Sequence, residues 1–353
     1  MSQSWEDGSF SERLLAWFDQ YGRHDLPWQH PATPYRVWVS EVMLQQTQVV
    51  TVIPYFERFM AQFPGVEALA SASSDQVLAL WSGLGYYARG RNLHKASQVI
   101  VRDFAGQLPS TAEALMSLPG IGQSTAHAIL SLAYQQPTAI CDGNVKRVLA
   151  RWLALPLPIE SKPAQQRLWQ VADELQSRAR PGAYTQAIMD LGATLCTRTK
   201  PQCGACPLAS DCAARLSDQP VTTWPIRQAK PSKTQHEVNV YLYIDEVGAV
   251  WLEAPQQQSG IWGGLYQLPQ SPLMGQPASL TRLTQIKHVF THQVWQITPY
   301  VVVMTQQAHE QPLSDNGLWY NPNNKKQSVA RPAVVDKLLK HWQDSKNLTA
   351  FDF

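Results

Sequence analysis

Leu118-Pro119-Gly120-Ile121-Gly122-Gln123-Ser124-Thr125-Ala126 is the stretch on which the reading of this 353-residue chain turns. Two glycines flank one hydrophobe, a Leu-Pro pair precedes them, and an apolar helix is predicted from Ser124 to Ala133. Such a turn lets backbone N–H groups face outward beside a helix N-terminus. There the unsatisfied donors and the helix dipole favour an anion such as phosphate. Ile121 is expected to anchor the turn in the core. A Gly-x-Gly is weak alone, so its meaning depends on its surroundings.

On both sides the pattern is helical. Ser11–Tyr21 carries Leu14, Leu15, Trp17 and Phe18 at helix spacing, with Ser9 or Ser11 as caps. Further helices are predicted over 37–63 with a break near Pro54, and over 68–81, 91–104, 111–116, 145–152, 163–175 and 183–191. Gly and Pro punctuate them, as in Phe63-Pro64-Gly65 and Gly83-Leu84-Gly85. Residues 1–216 show no strand-like alternation and read as a helical domain. Residues 217–235, with Pro220, Pro225 and Pro231, read as a linker. Over 236–353 the period becomes two. Val238, Val240, Leu242 and Ile244 alternate with Asn239, Tyr241 and Tyr243, and Val294–Val303 is β-rich. With turns at Trp262-Gly263-Gly264 and Asp315-Asn316-Gly317 and a last helix at Ala333–Gln343, the second domain is predicted to be α+β.

A net charge of +2 does not announce a nucleic-acid partner. Two local clusters, Arg89, Arg91 and Lys95 and then Lys146, Arg147 and Arg151, are either phosphate contacts or solvated helix faces. No stretch has the make-up of a secretory leader or a bilayer span, so a soluble cytoplasmic protein without membrane contact is expected.

Four of the five cysteines, Cys196, Cys203, Cys206 and Cys212, share one short segment with spacing C-x6-C-x2-C-x5-C. Clustering of this kind favours metal over a disulfide framework. The uneven spacing fits an iron–sulfur cluster better than the paired C-x2-C of a structural zinc site, which stays open as the alternative. Cys141 lies apart and reads as a buried apolar residue. Arg198 and Lys200 on the cysteine segment are phosphate contacts or compensate an anionic centre.

Between hairpin and cysteines lies Ile140-Cys141-Asp142-Gly143-Asn144-Val145. Asp142 is a helix cap or a functional carboxylate. Glu41, set among Val39, Val42, Met43 and Leu44, is placed where desolvation raises a carboxyl pKa.

Taken with Leu26-Pro27-Trp28, Ser40-Glu41-Val42-Met43-Leu44-Gln45-Gln46-Thr47 and Gly83-Leu84-Gly85-Tyr86-Tyr87-Ala88-Arg89, these motifs cover most of residues 10–215. The 118–126 stretch resembles a helix-hairpin-helix motif. The whole resembles the endonuclease III superfamily of DNA glycosylases and, within it, the MutY-type adenine DNA glycosylases. The resemblance implies two helical subdomains holding DNA and an extruded base, and a [4Fe–4S] cluster on Cys196, Cys203, Cys206 and Cys212. It further implies hydrolytic removal of adenine from A:8-oxoguanine or A:G mispairs in duplex DNA, by a monomer that is nucleoid-associated if bacterial. Glu41 would protonate the base at N7. Asp142 would stabilise the oxocarbenium-like sugar, and Asn144 would position water or Asp142.

Gly120, Gly122 and Ser124 would contact the DNA backbone. Gln46 and Tyr86 would insert into the duplex, and Gln46, Thr47 and Leu84 would meet the opposite base. Each also has a plainer reading as helix surface or packing. Related glycosylase-lyases carry a lysine where this chain has Ser124, and a serine cannot form the imine. A non-catalytic damage sensor is the other alternative, disfavoured by the presence of both carboxylates. Residues 236–353 resemble a Nudix-like domain, best at Ser259-Gly260-Ile261-Trp262-Gly263-Gly264-Leu265-Tyr266. No Asp or Glu occurs between Ala254 and His309, so Nudix hydrolysis, which needs acidic metal ligands, is not expected. Phe290-Thr291-His292 stands where the family has Phe-Ser-His, making Thr291 and His292 candidate readers of the oxidised guanine.

Overall fold

The computed structural model describes residues 8–229, 232–255, 261–273, 277–304, 312–324, 327 and 329–349. Its helices are α1 (Phe10–Tyr21), α2 (Pro34–Leu44), α3 (Val49–Gln62), α4 (Val66–Ser71), α5 (Ser74–Trp81), α6 (Ala88–Asp103), α7 (Ala112–Met116), α8 (Gln123–Tyr134), α9 (Gly143–Trp152), α10 (Lys162–Leu175), α11 (Pro181–Thr194), α12 (Ala213–Leu216) and α13 (Ala333–Thr349). The strands are β1 (Thr234–Ile244), β2 (Val250–Glu253), β3 (Pro277–Arg282), β4 (Ile286–Val289), β5 (Gln293–Met304) and β6 (Gly317–Tyr320). Two compact units form. One comprises residues 1–70 with 95–230, the other residues 71–94 with 231–353.

The first unit is all helix, as its periodicity predicts. Ser9 caps α1 through a capping box with Glu12, and Thr33 with Pro34 opens α2. The expected break near Pro54 is absent, because Pro54 lies inside α3 and the chain breaks at 45–48 instead. Pro54 is exposed, so the Val50 carbonyl that loses its helical partner lies on the watered face. The helix predicted over 68–81 is two helices, since Ser73 begins a new capping box with Gln76.

Helix α11 is buried almost all round and packs on α1, α8 and α9, while α2 packs on α8. A helix so enclosed must satisfy its polar groups internally. Ser131 and Thr185 hydroxyls bond at 2.7 Å, and Asp190 accepts from the Arg23 N–H, Nε and Nη2 and from Gln186 Nε2 at 2.6–3.0 Å. The first half of the expected linker is docked on this unit. Ile159 N–H donates to the Ile226 carbonyl at 2.8 Å, Arg151 Nε to the Trp224 carbonyl at 3.0 Å, and the Trp224 ring is buried.

The second unit is built on a six-stranded mixed sheet of order β3-β5-β1-β2-β6, with β4 paired to the first half of β5. The long β1 and β5 run parallel from Thr234↔Gln293 to Ile244↔Val303. Alternation along β1 sends Val240, Leu242 and Ile244 into the core shared with Val334, Val335, Leu338 and Leu339 of α13. Tyr243 joins Trp251, Val302 and Met304 in a separate cluster. The segment 71–94, read from sequence as part of the helical domain, groups with this sheet. Ser259 and Gly260 of the Nudix-like stretch lie outside the described residues. No helix among the described residues is long and apolar enough to cross a membrane.

Asp190 tests this packing, because its carboxylate gathers donors from two elements. Asp190→Ala is expected to cost roughly 2–4 kcal/mol, as removal of one partner of a largely buried ion pair does, measured by denaturant unfolding. Asp190→Asn should recover part of the loss.

Candidate active site

Glu41 sits in the last turn of α2 between buried Ser40 and Val42, and Asp142 sits at the start of α9. The surroundings treat the two carboxyls differently. Burial pushes Glu41 up to about 8, and the negative charge of Asp142 adds to the rise. Burial also raises Asp142, but the N–H groups of Val145 and Asn144 and the charges of Arg147 and Lys146 pull it back. The balance of causes differs: Asp142 keeps donors and cations that favour its charged form, whereas both causes acting on Glu41, burial and the charge of Asp142, favour its neutral form.

The capping reading of Asp142 holds in the structure: Oδ1 accepts from Val145 N–H at 2.8 Å. A cap does not exclude chemistry, because the same bond fixes the carboxylate and favours its charged form. Asn144 Oδ1 accepts from Arg147 Nη2 at 2.9 Å, and Arg147 also donates to the carbonyls of Gly192 at 2.6 Å and Cys196 at 2.8 Å. Gly192 lets α11 pass close to this turn; a Cβ there would lie 2.7 Å from Asn144 Cβ.

The hairpin takes the form expected. Gly120 has φ 80°, Ile121 is buried, and Ile121 N–H donates to the Leu118 carbonyl at 3.2 Å. Gly122 is the N-cap of α8, so no cap side chain covers the first N–H groups, and the space beside its Cα is open. Ser124 Oγ accepts from Cys141 N–H at 3.2 Å, tying the start of α8 to the strand of chain that delivers Asp142.

A cavity of about 200 Å³, lined by Trp28, Gln29, His30, Val37 and Gln186 among others, lies on this unit. Val37 is one turn before Glu41 on the same face of α2. Sequence reading quoted Trp28 only as a motif residue and missed Gln29 and Gln186. The available signal was a glutamine beside Thr185 within the mostly apolar run of α11.

Cys196, Cys203, Cys206 and Cys212 line one pocket together with Val148, Trp152, Leu191 and Leu208. The Cys206 thiol is pushed up to about 12 by burial and by its neighbours Cys196, Cys212 and Cys203. Among the described residues no three Cys, His, Asp or Glu side chains stand together to hold a single metal ion, yet four cysteines lining one pocket are a donor set that fits a larger thiolate-ligated cluster. Arg151, fully buried, donates through Nη1 to Cys196 Sγ at 3.3 Å and to the Thr197 carbonyl at 2.7 Å.

Residues 39–174 match the model of the HhH-GPD superfamily of base excision DNA repair proteins, residues 196–212 the iron–sulfur binding domain of endonuclease III, and residues 239–341 a NUDIX domain. The adenine DNA glycosylase of Buchnera aphidicola subsp. Acyrthosiphon pisum is 34% identical over 347 residues, which cover 95% of this chain and 97% of that protein. The chain belongs to the adenine DNA glycosylases. The Homo sapiens adenine DNA glycosylase is 48% identical over 216 residues, 59% of this chain and 39% of that protein. A solved thermostable thymine-DNA glycosylase has the same fold over 59% of this chain and 95% of its own, with TM-score 0.54 and 24% identity.

Family membership makes the protein a DNA-repair hydrolase of N-glycosyl bonds with a [4Fe–4S] cluster, which Cys196, Cys203, Cys206 and Cys212 are placed to hold. Those four cysteines would hold the cluster as thiolates, and so tie the 196–212 segment together. Arg198 and Lys200 are exposed on that segment.

The other expected site residues divide between the two units. Gln46 is exposed at φ 59°, and Thr47 is half-buried beside it. Leu84, Tyr86, Thr291 and His292 belong to the other unit. There Leu84 is buried, Tyr86 is 49% exposed at φ 50°, and Thr291 and His292 are exposed between β4 and β5. Both basic clusters are largely engaged inward. Arg89 donates to the carbonyls of Leu84 and Gly85, Arg91 to that of Gly263, and Lys146 to Gln165 Oε1. Lys95 is exposed.

Gly192→Ala should displace Asn144 and the start of α9, costing roughly 1–3 kcal/mol as overpacking does. Melting temperature reports the stability loss. A fall in excision rate larger than the loss of folded protein would show that the displacement reaches the carboxylates.

Proposed function

We propose that the protein hydrolyses the N-glycosidic bond of adenine opposite 8-oxoguanine or guanine in duplex DNA, acting as a monomer without lyase activity. The observation that carries this is the unequal pair of carboxyls: Glu41 pushed up to about 8 by burial and by Asp142, and Asp142, also raised by burial, but with backbone donors, Arg147 and Lys146 favouring its charged form. Departing adenine is a poor leaving group as an anion. Glu41 gives its proton to N7, and Asp142 faces the positive charge that grows on the sugar at C1′. Water then attacks C1′, with Asn144 holding the Asp142 turn in place through Arg147.

The extruded base enters the cavity beside Val37, which Trp28, Gln29 and Gln186 help to line. The bare α8 N-terminus at Gly120, Gly122 and Ser124 takes a backbone phosphate. Gln46 and Tyr86 both hold left-handed backbone, a strain that persists where surrounding structure over-determines it. They serve as wedges, and Thr47 and Leu84 meet the opposite base. Thr291 and His292, exposed at a hairpin tip, read the oxidised guanine. Ser124 provides no amine for an imine, and its hydroxyl accepts from Cys141 N–H.

Strand scission by alkali, on duplexes with adenine opposite 8-oxoguanine, tests the reading. Wild type should cleave at adenine, and Glu41→Gln and Asp142→Asn should each slow single-turnover excision by about 10²-fold or more. Borohydride should trap no covalent adduct. Because the active form of Glu41 is the acid, the rate should fall as pH rises through about 8; because the active form of Asp142 is the carboxylate, whose pKa burial raises, it should also fall at acid pH. Intact adenine with wild type, or full activity of either variant, overturns the proposal. Thr291→Ala and His292→Ala should lower the preference for 8-oxoguanine over guanine while leaving excision opposite guanine nearly unchanged.

A further inference from the structure

The turn carrying Leu84 and Tyr86 is fastened by residues almost 250 positions away. Tyr87, buried at 7% exposure, donates its hydroxyl to the Arg331 carbonyl at 2.8 Å and accepts from Gly83 N–H at 3.2 Å. Ser82 Oγ donates to the same Arg331 carbonyl at 3.2 Å. Arg91 donates to the Gly263 carbonyl, so both ends of the 82–91 segment bond to the second domain's backbone.

The acceptor is itself held. The Arg331 guanidinium pairs with Asp336 at 2.8 Å, donates to the Val329 carbonyl at 3.2 Å and lies 4.3 Å from the Tyr320 ring centroid. The Ala330 carbonyl accepts from Tyr266 N–H at 2.8 Å. Within the turn, Trp81 Nε1 donates to the Gly85 carbonyl at 3.1 Å, Leu84 N–H to the Trp81 carbonyl at 3.0 Å, and Arg89 lies over both the Trp81 and Tyr86 rings. The result is a braced turn whose one strongly exposed large side chain is Tyr86, in a backbone conformation that L residues adopt only under constraint.

We propose that Tyr87 and the Arg331 carbonyl form a positioning clamp, through which the second domain holds the Gly83–Tyr86 turn in the shape that presents Tyr86 to DNA. The clamp rests on the reading of Tyr86 as an inserted residue. It gives residues 236–353 a role in excision separate from recognition of the oxidised base by Thr291 and His292. Tyr87 is a positioning residue and touches no reacting atom. Its hydroxyl serves two bonds at once, so removing it frees the Gly83 N–H and leaves the Arg331 carbonyl only the longer bond from Ser82, which loosens the turn without emptying core volume.

The test uses the full chain with its cluster and compares wild type, Tyr87→Phe, Ser82→Ala and Tyr86→Ala. Tyr87→Phe should speed amide hydrogen exchange at residues 83–86 about five- to tenfold, the size expected for a net hydrogen bond, with exchange in α8 and α9 unchanged. Single-turnover excision should fall by a similar factor opposite both 8-oxoguanine and guanine, so that their ratio holds, and affinity for undamaged duplex should stay the same. Ser82→Ala, which leaves the Tyr87 bond in place, should move both readouts in the same direction by less. Unchanged exchange at 83–86 in Tyr87→Phe overturns the clamp. So does faster exchange with undiminished excision when Tyr86→Ala does slow excision. If Tyr86→Ala leaves excision intact, the wedge reading of Tyr86 fails, and the clamp's role in presenting it to DNA falls with it. The exchange data then still separate a real brace from none.

Discussion

The charge of Asp142 disfavours a charge on Glu41, and the proposed chemistry depends on this repulsion. Asp142 has backbone donors, a helix N-terminus and nearby Arg147 and Lys146 to stabilise its charge. The causes acting on Glu41 are burial and Asp142, and both favour its neutral form. In the proposed mechanism the helix that Asp142 caps is part of the acid–base apparatus, since the start of α9 supplies donors that favour the charged form of Asp142. One kind of functional group, the carboxyl, then serves as acid and as charged stabiliser in two settings.

Holding that asymmetry requires the start of α9 to stay still, and the packing around it is correspondingly tight. Gly192 admits Asn144 where any side chain would collide, Ser124 receives the N–H of Cys141, and Arg147 ties Asn144 to the carbonyls of Gly192 and Cys196. Arg151, one turn later, bonds to the same cysteine and to the Thr197 carbonyl. The first cluster ligand is therefore two hydrogen bonds from the turn bearing Asp142. A cluster that fixes Cys196 also fixes the anchor of that turn, a structural reason for the cluster in a hydrolase.

Much of this was legible beforehand. The hairpin was legible because its Gly-x-Gly stands between a Leu-Pro pair and an apolar helix, and the cysteine segment because four cysteines within 17 residues favour metal over a disulfide framework. Glu41 was legible from its hydrophobic neighbours. What escaped depended on distant partners. Pro54 is tolerated in α3 because it faces water, which local sequence does not reveal. Gln186 lines the cavity from a helix some 145 positions beyond Glu41. The arginines that resembled a basic face turn inward to carbonyls. Segment 71–94 reads as one more helical stretch, yet hydrogen bonds to residues near 263 and 331 group it with the sheet.

Infrared difference spectroscopy of the carboxyl stretch, wild type minus Glu41→Gln across a pH series, measures the protonation of Glu41 directly. We expect a protonated-carboxyl band that is full at pH 6 and is lost with a midpoint near the value of about 8 set by burial and by Asp142. A midpoint in the ordinary carboxylate range, near 4.5, would mean that Glu41 is charged at neutral pH and has no proton to give the departing base.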